Sequence, residues 1–539
     1  MHRFKRFGRW LLIGLLLIGF VYWLDSAIYG LPSRLPGEAY PPRFTLSKET
    51  TYFTGPVDKN GYIDYAKALN EKLSVGIDPQ ENVIVALLPA FGPKPCGKPL
   101  TPEFFEWLDA SPPPDVEAMV SFEEFLGSDK SLDPSRRKQL IDVARDRAQK
   151  TPWGHHILPE VFAWLQASEN ALAYAVKASH KTEFFYPLVP LDGAPPGNGP
   201  VERAALAAIL IYRELCAGLL CRAQLQIANG QFEEAKADIL CAHRLARLLA
   251  KGPLKLQFLL GRALERNALE AGEVLLKLAE FPQKSLEGWA NDLDALPGKT
   301  SLTNFVNLGQ RSFYLESTML MNQIGPSEFY LHKLNQEEVD VKKLSKISNI
   351  TLDYDDALVS INNAVDFILD CFGENSFLKS IDLLNSAYDS ALQKVNNNNS
   401  NYVYEILWLN LYKRRLLPNK HAENIRLLML GVTRRSAVAD ARVSEREDLF
   451  RLALALAIHR KAKGSFPEKL EELVPAFLKE IPGDRFSNRG LIYDKGDDGY
   501  ILYSVGPNGK DEQGRGPDDV PPGDDLRMIK APPAMDQGK

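Results

Sequence analysis

The chain has 539 residues, with 64 Lys and Arg against 69 Asp and Glu, a net charge of -5 and 45% hydrophobic residues. This ordinary composition excludes a collagen, a disordered chain and a polytopic membrane protein. The slight acidic excess excludes a dedicated nucleic-acid-binding protein, which would carry a basic surplus. Five cysteines are too few for a disulfide-rich scaffold.

The N-terminus has the pattern of a membrane anchor. Residues 1–9 contain four basic residues and no acid, and Trp10–Leu24 is an uncharged apolar run. A helix over this run is roughly 22 Å long, and Arg9 can extend its charged group to the lipid interface. The basic flank predicts a single-pass protein of the bacterial inner membrane, with the N-terminus cytoplasmic and the body extracytoplasmic. The alternative is a cleaved signal peptide, which places the body on the same side.

Periodicity predicts a mainly α protein with an N-terminal transmembrane helix, a helical-hairpin body and a small C-terminal α+β head. Four prolines in residues 31–43 indicate an extended spacer after the anchor. Residues 44–54 alternate as a strand would. Six parts are predicted. They are a basic tip (1–9), an anchor (10–24), a Pro-rich spacer (25–60), a helical body (61–300), a second helical region with an Asn-rich loop (301–433), and a long helix with the head (434–539).

The region 157–280 is helical almost throughout, including one helix predicted over PEVFAWLQASENALAYAVKAS. Asn229-Gly230 separates two further amphipathic segments and predicts an antiparallel hairpin. This hairpin resembles one tetratricopeptide-type unit, and no 34-residue period continues it. Cys221 and Cys241 lie about equally far from the turn, so they either form a bridge across it or stay as buried thiols.

The last hundred residues differ in character from the helical body. The long helix is predicted to end at Gly464, and FPEKLEELVPAFL contains a short helical segment. GLIYD and YILYS follow as two strands joined by KGDDG, which predicts a β-hairpin. The chain then becomes a loop rich in Gly and Asp.

This order of elements over residues 449–528 resembles the globular head of the major pseudopilin of type II secretion. The runs that carry the resemblance are FPEKLEELVP, IPGDRF, LIY and GYILYSVGPNG, followed by two acids and an apolar residue. No prepilin cleavage motif stands at residues 1–30, so the resemblance implies the head fold and not filament assembly. The whole chain also resembles large membrane-anchored bacterial envelope proteins that share GYIDYAKALNE and ENVIVALLPAFGP, a resemblance that implies no activity.

The pseudopilin resemblance implies a calcium site in the loop after the last predicted strand. Carried over, it assigns the backbone carbonyl of Ser504, the side chain of Asn508 where the family has Asp, and the paired acids Asp518 and Asp519. Calcium takes six to eight oxygen ligands. Asp511 could also reach the ion, and the pair Asp524-Asp525 is an alternative to Asp518-Asp519. The other interpretation is a solvated acidic loop.

No recognised catalytic motif accompanies these features. The adjacent pair His155-His156 could share a metal only in a loop, and no HExxH or G-x-S-x-G motif occurs. The sequence therefore favours a structural or interaction protein of the cell envelope, associated with a secretion or surface-assembly system. Its predicted partners are the lipid bilayer, through Trp10–Leu24, and other proteins. The alternative is an envelope hydrolase with a site in the helical body, using scattered acids with His155 or His156.

Overall fold

A computed structural model describes residues 39–95, 99–114, 118–129, 132–189, 201, 206–299, 301–325, 353–374, 376–397, 416–487, 489–496 and 499–530. The predicted basic tip, the anchor Trp10–Leu24, the spacer as far as residue 38 and most of the Asn-rich loop lie outside the described residues. Within them, no helix combines the length and apolarity that crossing a membrane requires.

The prediction of a mainly α protein is confirmed. The helices, numbered α1 to α17 in chain order, are Tyr65–Leu73, Val83–Phe91, Pro102–Leu108, Phe122–Ser128, Pro134–Gln139, Arg145–Lys150, Pro159–Ala167, Glu169–Ala178, Leu206–Ala228, Phe232–Ala250, Lys255–Leu278, Gln283–Asp294, Leu302–Asn304, Arg311–Ile324, Tyr354–Phe372, Phe377–Asn397 and Leu416–Lys463. Two π-helical turns, Leu140–Ala144 and Phe305–Gln310, join α5 to α6 and α13 to α14.

The predicted hairpin forms the centre of the body. Helices α9 and α10 pack along each other, and Gly230 in the turn has a φ of +74°, a conformation that favours glycine. Helix α11 packs closely on α10, because Gly261 has no Cβ where the backbone of Ala250 approaches. Cys221 and Cys241 are buried free thiols directed at different backbone carbonyls, so they do not form the disulfide considered above.

Two local predictions differ from the structure. The helix predicted over 159–179 is two helices, α7 and α8, which meet at Ser168. Residues 44–54 form turns instead of a strand, because their polar groups bond locally and to the helices. Thr51 is fully buried and its carbonyl accepts from Tyr65 Oη at 2.8 Å, while Asn362 Nδ2 donates to the carbonyl of Glu49 at 2.9 Å.

The two largest apolar cores among the described residues both include side chains of α17. The first core includes Trp164, Trp289 and Phe450, and the second includes Phe305 and Met429. Helix α17 begins at Leu416, earlier than the predicted 434, and its 48 residues span about 72 Å. The second core combines segments from both sides of residue 300, so the division predicted there does not separate two cores.

The C-terminal head is a three-stranded antiparallel sheet on the end of α17. Its strands β1 (Ile492–Lys495), β2 (Tyr500–Ser504) and β3 (Leu526–Lys530) lie in the order β1-β2-β3. The predicted β1–β2 hairpin is confirmed, whereas β3 lies in the stretch expected to be loop. The helix expected over 468–478 is a single 3-10 turn, Leu470–Leu473, which ends before Pro475.

Candidate metal centre

The loop between β2 and β3 crosses over itself and closes at its base. Gly506, with a φ of +68°, lies directly against the backbone of Asp524, where any side chain would clash. The amide of Gly523 donates to the carbonyl of Gly516 at 3.0 Å, and the amide of Asp525 donates to that of Arg515 at 3.0 Å. This path brings residues from both ends of the loop together.

Three carboxylates converge where the loop crosses itself. One oxygen each of Glu512, Asp524 and Asp525, the carboxylate triad, lies within 4.8 Å of the others. Within the described residues, no other group of three or more His, Cys, Asp or Glu side chains is arranged to hold one ion. His155 and His156 are exposed and contact each other edge to face, with ring centroids 5.6 Å apart.

In each carboxylate of the triad, hydrogen bonds from the loop reach only one of the two oxygens. Asn508 Nδ2 donates to Glu512 Oε1 at 2.7 Å, and the Asn508 amide donates to Asp524 Oδ2 at 3.1 Å. The amides of Gly514 and Glu512 donate to Asp525 Oδ2 at 2.7 and 3.1 Å. These bonds fix the three carboxylates in place without occupying their second oxygens.

The second oxygens, Glu512 Oε2, Asp524 Oδ1 and Asp525 Oδ1, are buried and have no hydrogen-bond partner among the described residues. Asp525 is only 2% exposed. Burying unpaired carboxylate oxygens side by side is unfavourable, and a cation bound between them would remove the penalty. The geometry therefore fits a divalent ion that prefers oxygen ligands.

The acid strengths of the triad agree with this geometry. Burial raises the pKa of Asp525 to about 6, and the neighbouring Glu512 and Asp511 act in the same direction. Burial also raises the pKa of Asp524. The hydrogen bond from Asn508 lowers the pKa of Glu512. Arg442 of α17 lies 3.6 Å from Asp524 Oδ2 and offsets part of the negative charge.

Of the predicted ligands, only Asn508 is hydrogen-bonded to the triad through its side chain, and the others have partners elsewhere or are exposed. Asn508 contacts the triad as a hydrogen-bond donor. Ser504 is buried in β2 and its hydroxyl donates to Asp484 Oδ1 at 2.9 Å. Asp511 Oδ1 accepts from Tyr503 Oη at 3.0 Å. Asp519 pairs with Arg527 at 2.6 Å, and Asp518 is exposed.

The triad includes the alternative acid pair, Asp524-Asp525, and one residue that sequence reasoning missed. Glu512 has no distinguishing neighbour in the sequence, and it lies 12 positions before Asp524. The bond between Gly516 and Gly523 brings the two acids together. In the sequence, the glycines scattered through the loop are the only sign of this closure, and they do not indicate which acids it brings together.

A second group of buried charges lies in the helical body. Glu265 of α11 is fully buried and accepts from His243 Nε2 at 3.1 Å, from Arg247 Nε at 2.9 Å and from Arg262. Glu447 of α17, also fully buried, pairs with Arg247 at 2.6 Å, with Lys299 at 3.0 Å and with Arg451 at 3.0 Å.

Basic groups surround both carboxylates in this body network. Burial alone would raise the pKa of Glu447, but the charges of Arg247 and Lys299 lower it to about 2. The pKa of Glu265 is likewise lowered, because His243 and Arg262 outweigh the effect of its burial. The carboxylates are therefore ionised and paired, as in a network that joins α10, α11 and α17, and they do not form an acid–base couple with a free proton.

No protein-family model, curated protein or solved structure matches this chain.

Proposed function

We propose that this chain is a membrane-anchored, extracytoplasmic structural or interaction protein of the bacterial cell envelope, with a C-terminal head that a divalent cation, calcium, stabilises. The observation that carries the cation is the carboxylate triad with its three buried, unpartnered oxygens. The anchor pattern in the sequence supports the location.

Calcium suits the triad better than other common cations. It accepts six to eight oxygen ligands in a flexible arrangement, from carboxylates, backbone carbonyls and water. Magnesium requires a nearly regular octahedron and keeps most of its own water, and zinc prefers nitrogen and sulfur ligands. The triad offers carboxylate oxygens only. Hydrogen bonds from the loop to one oxygen of each carboxylate set the spacing of the three groups.

The rest of the head supports a docking role more than a catalytic one. The loop presents Val520, which is 95% exposed, beside exposed prolines at its tip. A cation at the base would hold this tip in one conformation and reduce the entropy lost when a protein partner binds it. The helix hairpins of the body supply further surface of the kind used by helical binding proteins.

Thermal unfolding of the full chain in detergent tests the cation. We expect calcium to raise the melting temperature relative to EDTA, by an amount equivalent to about 2.7 kcal/mol at a hundredfold excess over the Kd. Asp525→Asn should abolish this response, whereas the matched variant Asp518→Asn, in the same loop but outside the triad, should keep it. Equal melting temperatures in calcium and EDTA for the wild-type chain would remove the cation from the proposal.

Two further experiments test the location and the role. Alkaline phosphatase fused after residue 60 should be active, because that enzyme folds only outside the cytoplasm; an inactive fusion would contradict the proposed topology. Crosslinking in intact cells should capture proteins with the wild-type chain and lose them when residues 517–522 are replaced by Gly and Ser. An unchanged set of captured proteins would exclude the loop tip as a docking element.

A further inference from the structure

Helix α17 and the head meet at a buried group of charges that is separate from the carboxylate triad. Glu445 of α17 is fully buried, and its Oε2 accepts from the amide of Arg485 at 3.1 Å and from Arg485 Nη1 at 3.4 Å. Its other oxygen, Oε1, is buried with no hydrogen-bond partner among the described residues. Glu445 is therefore only half satisfied, at the contact that attaches the head.

The charges around Glu445 do not balance. From the head, Arg485 and Asp484 face it; from its own helix, Asp448 does. Asp448 shares the Arg485 guanidinium, at 2.6 Å, and lies 3.9 Å from the partly exposed Lys299, which belongs to the segment after α12 and also pairs with Glu447.

Asp484 has a structural role as a hydrogen-bond acceptor at both of its carboxylate oxygens. Its Oδ1 accepts from the amide of Phe486 at 2.8 Å and from Ser504 Oγ, and its Oδ2 accepts from the amide of Val505 at 3.1 Å. Of the acids in this group, Glu445 is the one with a buried oxygen that no donor uses, so it is where a proton relieves the excess negative charge.

We propose that Glu445 and Arg485 form a proton-operated latch, which holds the head on α17 when Glu445 is protonated and loosens it when Glu445 is ionised. The latch does not require the cation, because neither residue belongs to the carboxylate triad. It couples the attachment of the head to the pH on its own side of the membrane.

The pKa of Glu445 places the latch in the physiological range. Burial raises it from 4.5 to about 7, and the charges of Asp484 and Asp448 act in the same direction, while the Arg485 amide and guanidinium lower it. In a detached head the exposed carboxyl would titrate near its ordinary value. Attachment is therefore strongest at or below pH 4.5, weakens as the pH rises from 4.5 to 7, and changes little above 7.

Hydrogen exchange of the full chain in detergent and EDTA tests the latch. After correction for intrinsic rates, we expect protection of the β1 and β2 amides to fall by up to about tenfold per pH unit between 4.5 and 7, then to level off. The α9 amides should not follow this profile. Glu445→Gln should remove the slope and keep the β1 and β2 amides protected at pH 8.

Two variants separate a latch from a merely structural contact. Glu447→Gln, a fully buried neighbour on the same helix that stays ionised in this range, should lower protection at every pH and keep the slope. Arg485→Gln removes the guanidinium group that lowers the pKa of Glu445. Protection of the β1 and β2 amides should therefore continue to fall above pH 7. A wild-type slope in Glu445→Gln, or the same slope in α9, would overturn the proposal.

Discussion

The body network and the carboxylate triad both bury acids, but they balance charge in opposite ways. In the body, Glu265 and Glu447 are each surrounded by several basic groups that hold them ionised. In the head, Asp525 has an oxygen that no donor reaches within the described part of the chain, and burial raises the pKa of Asp525 to about 6. In the first arrangement basic side chains of the chain itself offset the buried negative charge, and in the second we propose that a cation does so.

This difference separates a network of paired charges from a cluster of carboxylates that lacks basic partners for three of its oxygens among the described residues. A paired network resists the loss of any member, because each removal leaves a charge buried alone. An unpaired cluster is relieved by removal of a member or by the arrival of a cation. The two regions should therefore respond with opposite signs to equivalent substitutions.

Arg247→Met should give the largest effect. Arg247 is 5% exposed and forms ion pairs with both Glu265 and Glu447, so its loss leaves two buried carboxylates short of a partner. We expect the free energy of unfolding to fall by about 3–5 kcal/mol, measured by urea denaturation at pH 7. Arg266→Met on the neighbouring helix α11 is the control: its pair with Glu270 is long, at 3.7 Å, and it should change stability by about 0.5 kcal/mol or less. Similar losses in both variants would contradict the structural role of the network.

Glu447→Gln should show a pH dependence that reports the paired state. The pKa of Glu447 is lowered from 4.5 to about 2, so its charge contributes stability above pH 4.5 that is lost as the pH falls toward 2. We expect the variant to be less stable than the wild type by roughly 3 kcal/mol near neutral pH. Urea denaturation at pH 7, 5 and 3 should show this gap constant from 7 to 5 and narrower at 3. If the difference in free energy of unfolding between the wild type and Glu447→Gln is the same at pH 3 as at pH 7, packing and not charge causes the difference.

Asp525→Asn in EDTA should have the opposite sign. It removes a buried carboxylate that lacks a partner for one oxygen, so the cation-free protein should become more stable by on the order of 1 kcal/mol. Differential scanning calorimetry of the wild type, Asp525→Asn and Asp518→Asn in EDTA measures this. Destabilisation by Asp525→Asn in EDTA would show that its hydrogen bonds to Gly514 and Glu512 outweigh its charge, and would place the triad among the paired networks.

The distance along the chain between contacting residues explains what the sequence could predict. Hydrophobic periodicity predicted the α9–α10 hairpin, and turn residues predicted the β1–β2 hairpin, because both patterns arise from neighbours along the chain. The body network was not predicted, since Glu265 and Glu447 are 182 positions apart and meet only when α11 packs on α17. The part of α17 from Leu416 to residue 433 was also missed.

Within the candidate site, the sequence predicted the loop and not its arrangement. Acidic composition and the resemblance to a pseudopilin head pointed to residues 504–525, but the convergent carboxylates depend on the contact of Gly506 with Asp524 and on the closure between Gly516 and Gly523. Asp519, selected from the family pattern, pairs with Arg527 instead, an ion pair set by the position of β3.

Substitutions of Asn508 should have the smallest effects, and they test the triad most specifically. The Asn508 side chain donates to Glu512 Oε1, so Asn508→Ala should release that carboxylate and raise the Kd for calcium about fivefold, equivalent to one lost hydrogen bond. Asn508→Asp replaces the donor with a fourth carboxylate, which repels Glu512 without the ion and can coordinate it when present. We therefore expect Asn508→Asp to lower stability in EDTA and to bind calcium at least as tightly as the wild type, by isothermal titration calorimetry. If both variants weaken binding equally, Asn508 acts only as a donor that positions Glu512, and the ligands are confined to the triad and the backbone.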